Sequence, residues 1–262
     1  MNHPETISAE ERQLHISSLL DQQQRITIAQ ICERFDVSEA TARRDLDALA
    51  DLGLVHRVHG GAIALQQAPP EPPILKRSRD QSAEKQAMAK TAAALIDDRD
   101  TVFLGSGSTV LALANLLRKR RLTVITNSLA VINTLSLSSG IELVSLGGSF
   151  RASELSFIGH ITEQSLAEVR ADKVFIGIRS LDLQHGLTND YLPETLTDRA
   201  ILHIGRETIV LADHTKFSRI SSSFVAPLNE ISVLVTDPGA PQDFVSAVRE
   251  MGIRVYLADQ EE

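Results

Sequence analysis

The sequence predicts two folded parts: a small helical module closed by a β-hairpin, and an α/β domain whose mostly parallel sheet is flanked by helices. Three observations predict this. Residues 66–73 read QQAPPEPP, and four prolines in eight residues favour an extended, semi-rigid linker, because proline fixes φ and lacks a backbone donor. Ahead of the prolines, apolar residues recur at helical spacing and then alternate across a Gly-Gly turn. Behind them, short apolar strands alternate with helical stretches, the pattern of crossovers covering a buried sheet. The parts are drawn at 1–65 and 76–262, with residues 66–75 as the linker.

In the first part, Ser8 and Glu11 form a capping-box pattern that opens a helix. Its apolar face is Ile16, Leu19 and Leu20, with Leu14 nearby. Arg25–Ile26 is short and extended. Thr27 caps a second helix that runs to Phe35 and turns Ile28, Ile31, Cys32 and Phe35 inward. The chain turns at Asp36–Ser38, and Ser38 caps a third helix with Ala42, Leu46 and Leu49 on one stripe. Gly53 ends it. Leu54 to His59 alternates in part, and Gly60–Gly61 makes the tight turn of a hairpin, or wing.

In the second part a helix is predicted over 83–96. Strands follow at 101–104, 122–126, 142–146, 173–178, 208–212, 232–236 and 253–257, with helices at 109–117 and 129–135 among them. In such sheets ligands sit beyond the carboxyl ends of the strands. The polar turns GSGST, NS and GG all follow strands.

Composition narrows the class. The chain has 262 residues, 43% hydrophobic and 23% charged, an ordinary globular balance. No apolar run reaches the roughly 18 residues of a membrane span, and the first residues lack a signal-peptide pattern. A lone cysteine excludes an internal disulfide and fits a reducing, cytoplasmic setting. The net charge of -8 argues against non-specific coating of nucleic acid. No histidine spacing suits a metal, and no cofactor is expected.

A helix-turn-helix followed by a wing is nonetheless a DNA-reading arrangement. Leu46 and Leu49 face the small core, while Ser38, Thr41, Arg43 and Arg44 lie in the first turns of the third helix, the part that reaches base edges. Arginine bonds guanine through two parallel hydrogen bonds, or clamps a phosphate. Arg57 and His59 are the wing's candidates for the neighbouring backbone or minor groove. Yet Asp45, Asp47 and Asp51 share the helix with the two arginines, an arrangement that wastes charge unless the arginines face outward.

The stretch VSEATARRDLDALADLGLVHRVHGGA, Val37 to Ala62, resembles the DNA-binding segment of the DeoR family of bacterial transcriptional regulators. It carries the family's V-S-x-x-T-x-R-R-D-L-x-x-L motif and then G-L-x-x-R-x-H-G-G-A, with Ala42 at a position where the family usually has isoleucine or valine. The resemblance implies a winged helix-turn-helix that binds a double-stranded operator, with a homodimer or homotetramer reading a repeated site.

GSGST, Gly105 to Thr109, joins a strand to a helix. Its glycines let backbone approach an anion, the helix start presents N–H groups, and Ser106, Ser108 and Thr109 add hydroxyls. Lys216 is a candidate phosphate partner and Asp213 a candidate sugar-hydroxyl acceptor. TNS, LGG, ADKVFIG, GLT and ETIVLADHTKF look like the effector domain of the same regulators, a domain similar to ribose-5-phosphate isomerase and glucosamine-6-phosphate deaminase. The resemblance implies a phosphorylated sugar effector held by Gly105, Ser106, Gly107, Ser108, Thr109, Asn127, Ser128, Gly147, Gly148, Arg151, Lys173, Glu194, Asp213 and Lys216. It implies a regulator, usually a repressor relieved by that effector, and not an enzyme. The alternative is a sugar-phosphate isomerase with an appended DNA-binding module, using Glu194 or Asp213 as its base. Gly105, Ser180 and Asp198 depart from the family pattern, which has aspartate, glycine and lysine there.

Overall fold

The computed structural model describes residues 7–23, 25–51, 55–58, 60–64, 66–67, 72–78 and 82–258. The chain divides into two compact units, Met1–Gln67 and Ala68–Glu262.

The first unit runs α1 (Ala9–Gln23), β1 (Arg25–Thr27), α2 (Ile28–Phe35), α3 (Glu39–Asp51), β2 (Val55–Val58), β3 (Gly61–Ala64) and the two-residue β4 (Gln66–Gln67). Both caps form as the sequence predicts. Ser8 Oγ accepts from Glu11 N–H at 3.1 Å while Glu11 returns a carboxylate to Ser8 N–H at 3.2 Å. Thr27 and Gln30 repeat the exchange at the head of α2. Asp36, at φ 51°, turns the chain from α2 toward α3. The wing pairs antiparallel with Val58 opposite Gly61, and β1 adds on the other side of β3. Ile16, Leu20, Ile31, Ala42 and Leu46 are enclosed in the core, whereas Leu14 stands in solvent at 70% exposure. Gly53, Leu54 and His59 lie outside the described residues.

The second unit begins before the boundary the prolines suggest. Ile74, in α4 (Ile74–Arg77), is buried and donates its N–H to Ser153 O at 2.9 Å. Then come α5 (Ser82–Ala93), β5 (Thr101–Leu104), α6 (Ser108–Leu117), β6 (Leu122–Thr126), α7 (Leu129–Leu135), β7 (Ile141–Ser145), β8 (Ser149–Arg151), β9 (Ser156–Ile158) and α8 (His160–Ala167). The chain continues with β10 (Ala171–Gly177), β11 (Ser180–Asp182), β12 (Gly186–Asn189), α9 (Leu192–Leu202), β13 (Gly205–Leu211), β14 (Arg219–Ile220), β15 (Ser223–Ala226), β16 (Val233–Thr236), α10 (Gln242–Glu250) and β17 (Arg254–Leu257).

Seven strands form one parallel sheet in the order β17-β16-β13-β10-β5-β6-β7. The strands alternate their side chains between two cores: Val174 and Ile176 of β10 join one, Phe175 the other. From β5 the chain builds outward one way through β6 and β7, and from β10 the other way. The switch therefore lies between β5 and β10, where an open α/β sheet leaves a crevice beyond its carboxyl edge. A three-stranded antiparallel sheet, β11-β12-β15, stands apart from the parallel one.

Candidate functional site

The two units carry one candidate site each. In the first, helix α3 distributes its charges by face. Arg43 and Arg44 are exposed, and Asp45 is buried. Asp45 faces Arg12 of α1, accepting from Nε at 2.6 Å and Nη2 at 3.1 Å, with Gln13 Nε2 at 3.2 Å. Asp47 takes Arg57 of the wing at 3.0 Å, and Arg57 also donates to Gly61 O at 3.3 Å. These acids brace α1 and the wing against α3 and leave the arginines to solvent. Among the described residues Arg43 pairs only with Glu39, at 3.4 Å between exposed side chains, a pairing of little energetic weight. Ser38 caps α3, and its Oγ lies 3.0 Å from Thr41 Oγ1. Of the candidates, Ser38, Thr41, Arg43 and Arg44 share one helix start, while Arg57 is tied back to α3. His59 falls outside the described residues.

In the second unit a cavity of about 240 Å³ opens at the strand ends on the switch side. Ser106–Thr109 after β5, Gly177–Arg179 at the end of β10 and beyond it, and Leu211, Asp213, Thr215 and Lys216 at the end of β13 and beyond it line the cavity. Gly107, at φ 124°, takes a conformation that side chains resist and starts α6 with no side-chain cap, so the first N–H groups of that helix face the opening. Apart from Pro72 and Asn189, the rest of the wall is charged: Arg77, Lys85, Arg151, Arg179 and Arg219 against Glu154, Asp190, Glu194 and Asp198.

Eight of the predicted effector residues line this cavity: Ser106, Gly107, Ser108, Thr109, Arg151, Glu194, Asp213 and Lys216. The others do not. Gly105 donates its N–H to Phe175 O at 2.9 Å, within the sheet edge. Asn127 and Ser128 are buried; Asn127 Nδ2 ties β6 to Phe157 O at 2.9 Å, and Ser128 caps α7. Gly147 O accepts from Thr162 Oγ1 at 2.8 Å, and Gly148, at φ 148°, sits where a Cβ would strike that same hydroxyl. This pair is a packing turn under α8. Lys173 is the clear correction. It lies four residues before Gly177, about 13 Å back along the strand, at the amino edge of the sheet. There its Nζ bonds Asp100 at 2.5 Å and Asp97 at 3.2 Å.

Arg151 organises the acidic part of the wall. It is ion-paired to Glu194, reaches Asp190 at 3.8 Å and lies 4.4 Å over the Tyr191 ring. Glu194 also accepts from Ser156 at 3.3 Å and from Asn189 at 3.4 Å. Asp213 accepts both the N–H and the hydroxyl of Thr215. Ser180 is buried, with its Oγ 3.0 Å from Thr188 Oγ1 and 2.7 Å from Ser221 Oγ, which fastens β11 to β12 and to the segment beside Arg219. Arg77, Lys85, Arg179, Asn189, Asp190 and Arg219 also line the cavity, and the sequence marks them only by polar side chains beside turns.

Asp198 is the perturbed group. Desolvation pushes its carboxyl up to about 6, with Glu154 adding to the shift and the Asn189 hydrogen bond and Arg151 opposing it. The folded state thus holds this proton more tightly than the unfolded chain. The group contributes stability that is full below the ordinary carboxylate range and is lost as the pH rises through about 6. Asp198→Asn is therefore expected to melt above the unsubstituted protein at about pH 7.5, the excess vanishing between about pH 6 and 4. A melting difference that stays constant across that range contradicts the assignment.

Comparison with known proteins adds to this geometry. A family model described as the DeoR-like helix-turn-helix domain matches residues 12–68. A second, the DeoR C terminal sensor domain, matches residues 80–238. The chain is 37% identical over 234 residues to the transcriptional repressor AccR of Agrobacterium fabrum, covering 88% of this chain and 91% of that one. It is 34% identical over 253 residues to the transcriptional repressor GlcR of Bacillus subtilis, covering 97% and 98%. It is 31% identical over 243 residues to the glycerol-3-phosphate regulon repressor of Escherichia coli, covering 92% and 96%. Among solved structures, ribose 5-phosphate isomerase A of Methanocaldococcus jannaschii overlaps 51% of this chain and 53% of its own at 21% identity, with a TM-score of 0.37. No helix among the described residues is long and apolar enough to cross a membrane.

Proposed function

Because the chain belongs to the DeoR family of transcriptional regulators, we propose that it is a cytoplasmic repressor that grips a double-stranded operator through α3 and loosens that grip when a phosphorylated sugar fills the cavity of its second unit. The observation that carries this reading is the outward exposure of Arg43 and Arg44 on a helix whose acids Asp45 and Asp47 are engaged elsewhere. The start of α6, with Lys216 and Arg219, supplies the chemistry of a phosphate site. Two recognition helices are needed for a repeated half-site, which supports a homodimer or homotetramer. Linkage then supplies the mechanism: an effector that binds the operator-free form more tightly shifts the population toward it.

The isomerase reading requires a carboxylate free to take a proton. Glu194 is ion-paired and doubly hydrogen-bonded, and Asp213 caps its own turn, which disfavours these two as the base. Titration of DNA from upstream of the gene, with and without glucose 6-phosphate, ribose 5-phosphate and glycerol 3-phosphate, tests the regulator reading. An effective ester is expected to lower operator affinity by about 5- to 150-fold. Lys216→Ala is expected to keep operator binding and lose this response. Absence of sequence-selective binding in every condition would falsify the proposal.

A further inference from the structure

The cavity wall divides into two chemistries, and on the reading that it holds a phosphate ester, this division sets what else the ester carries. The strand-end turns bring the uncapped start of α6, Lys216 and Arg219 to the wall, with Asp213 turned to Thr215. Among the described residues Arg219 has no acidic partner, so it remains available to an anion. The other part of the wall sets four acids against three arginines and Lys85, and each of the arginines has an acid partner. Arg77 pairs with Glu154, Arg179 with Asp190 at 3.1 Å, and Arg151 with Glu194. Among the described residues Asp198 receives no guanidinium hydrogen bond. Its partner is Asn189 Nδ2 at 2.7 Å, an amide shared with Glu194. The charges of Arg151 and Glu154 act on Asp198 in opposite senses.

We propose that the cavity selects an ester with a single anionic group and hydrogen-bond donors, hydroxyl or ammonium, at its far end, and that Asp198 is the residue that enforces the choice. An ionised carboxylate only accepts hydrogen bonds, so it complements a donor and repels a second phosphate or carboxylate. A second anion there breaks one of the arginine pairs or faces Asp198, which is held by an amide rather than by a guanidinium.

Calorimetric titration of the full chain at about pH 7.5 tests this, with glucose 6-phosphate and glucosamine 6-phosphate as single-anion probes and fructose 1,6-bisphosphate and 6-phosphogluconate as two-anion probes. The single-anion esters are expected to bind about tenfold or more tighter than the two-anion ones. Asp198→Asn is expected to close the gap, bringing the two-anion probes to within about threefold of the variant's own glucose 6-phosphate affinity. Equal binding of both classes by the unsubstituted chain overturns the inference while leaving the phosphate site standing, as does an unchanged ratio in the variant. Failure of all four probes and of inorganic phosphate to bind removes the phosphate site itself, and the inference with it.

Discussion

Replacing Arg43 and Arg44 together with alanine is expected to weaken operator binding by on the order of 10² to 10⁴ while leaving the first unit folded. Each bidentate contact to a guanine edge contributes about 1–3 kcal/mol of discrimination, so the pair accounts for that range. The fold is spared because neither side chain supports it. Both are exposed, and the Arg43–Glu39 contact, 3.4 Å between half-open side chains, adds less than about 0.5 kcal/mol. Fluorescence anisotropy on labelled operator, with circular dichroism as the check on folding, measures both quantities. The singles separate two roles. A base contact, when lost, relaxes preference at one operator position. A phosphate contact, when lost, weakens all sequences alike and lowers the salt dependence. A double variant that binds like the unsubstituted chain contradicts the assignment.

Asp45→Ala is the second large effect, and it acts through stability. The carboxylate takes two guanidinium bonds from Arg12, at 2.6 and 3.1 Å, between side chains that are 11% and 4% exposed. The hydrogen bond to Asp45 raises the Arg12 pKa further, against the cost of burial. Removing one partner strands the other charge, at about 3–5 kcal/mol. A core as small as this one sits at the low end of domain stability, about 5 kcal/mol. The variant is therefore expected to lose its first unit, and operator binding with it, near 37 °C, while the parallel-sheet unit keeps its own melting transition. Arg12→Met with Asp45→Leu is expected to restore the lost transition, because a buried pair replaced by apolar side chains of similar size is often neutral or better. If Asp45→Ala shifts the first unit by less than about 1 kcal/mol, the pair is not its brace.

Much of the fold was legible because its signals are local. Ser8 with Glu11, Ser38 ahead of α3 and the Leu46–Leu49 stripe announce helix starts and faces within one or two turns of chain. The inner strands of the parallel sheet carry apolar runs such as Thr101–Leu104 and Val233–Thr236, which burial on both faces requires, while the edge strands β7 and β17 are only partly buried. The β8–β9 hairpin and the β11-β12-β15 sheet were not read, because three- or four-residue strands such as Ser180–Asp182 carry no periodicity long enough to count. The candidate site was half legible for a related reason. A strand motif identifies β10 without saying which end meets the ligand, so Lys173 was assigned to the wrong edge. Asp45 and Arg43 are two residues apart, and only Arg12, distant in sequence, shows which of them turns inward.

The division of labour on α3 bears on how such a protein diversifies. Asp45 holds the module together from the buried face and Asp47 ties in the wing from the exposed side, where Arg43 and Arg44 look outward. A duplicated gene that keeps the two aspartates is free to exchange the outward positions with little loss of folding, so new regulatory targets are reachable through changes that leave the scaffold alone.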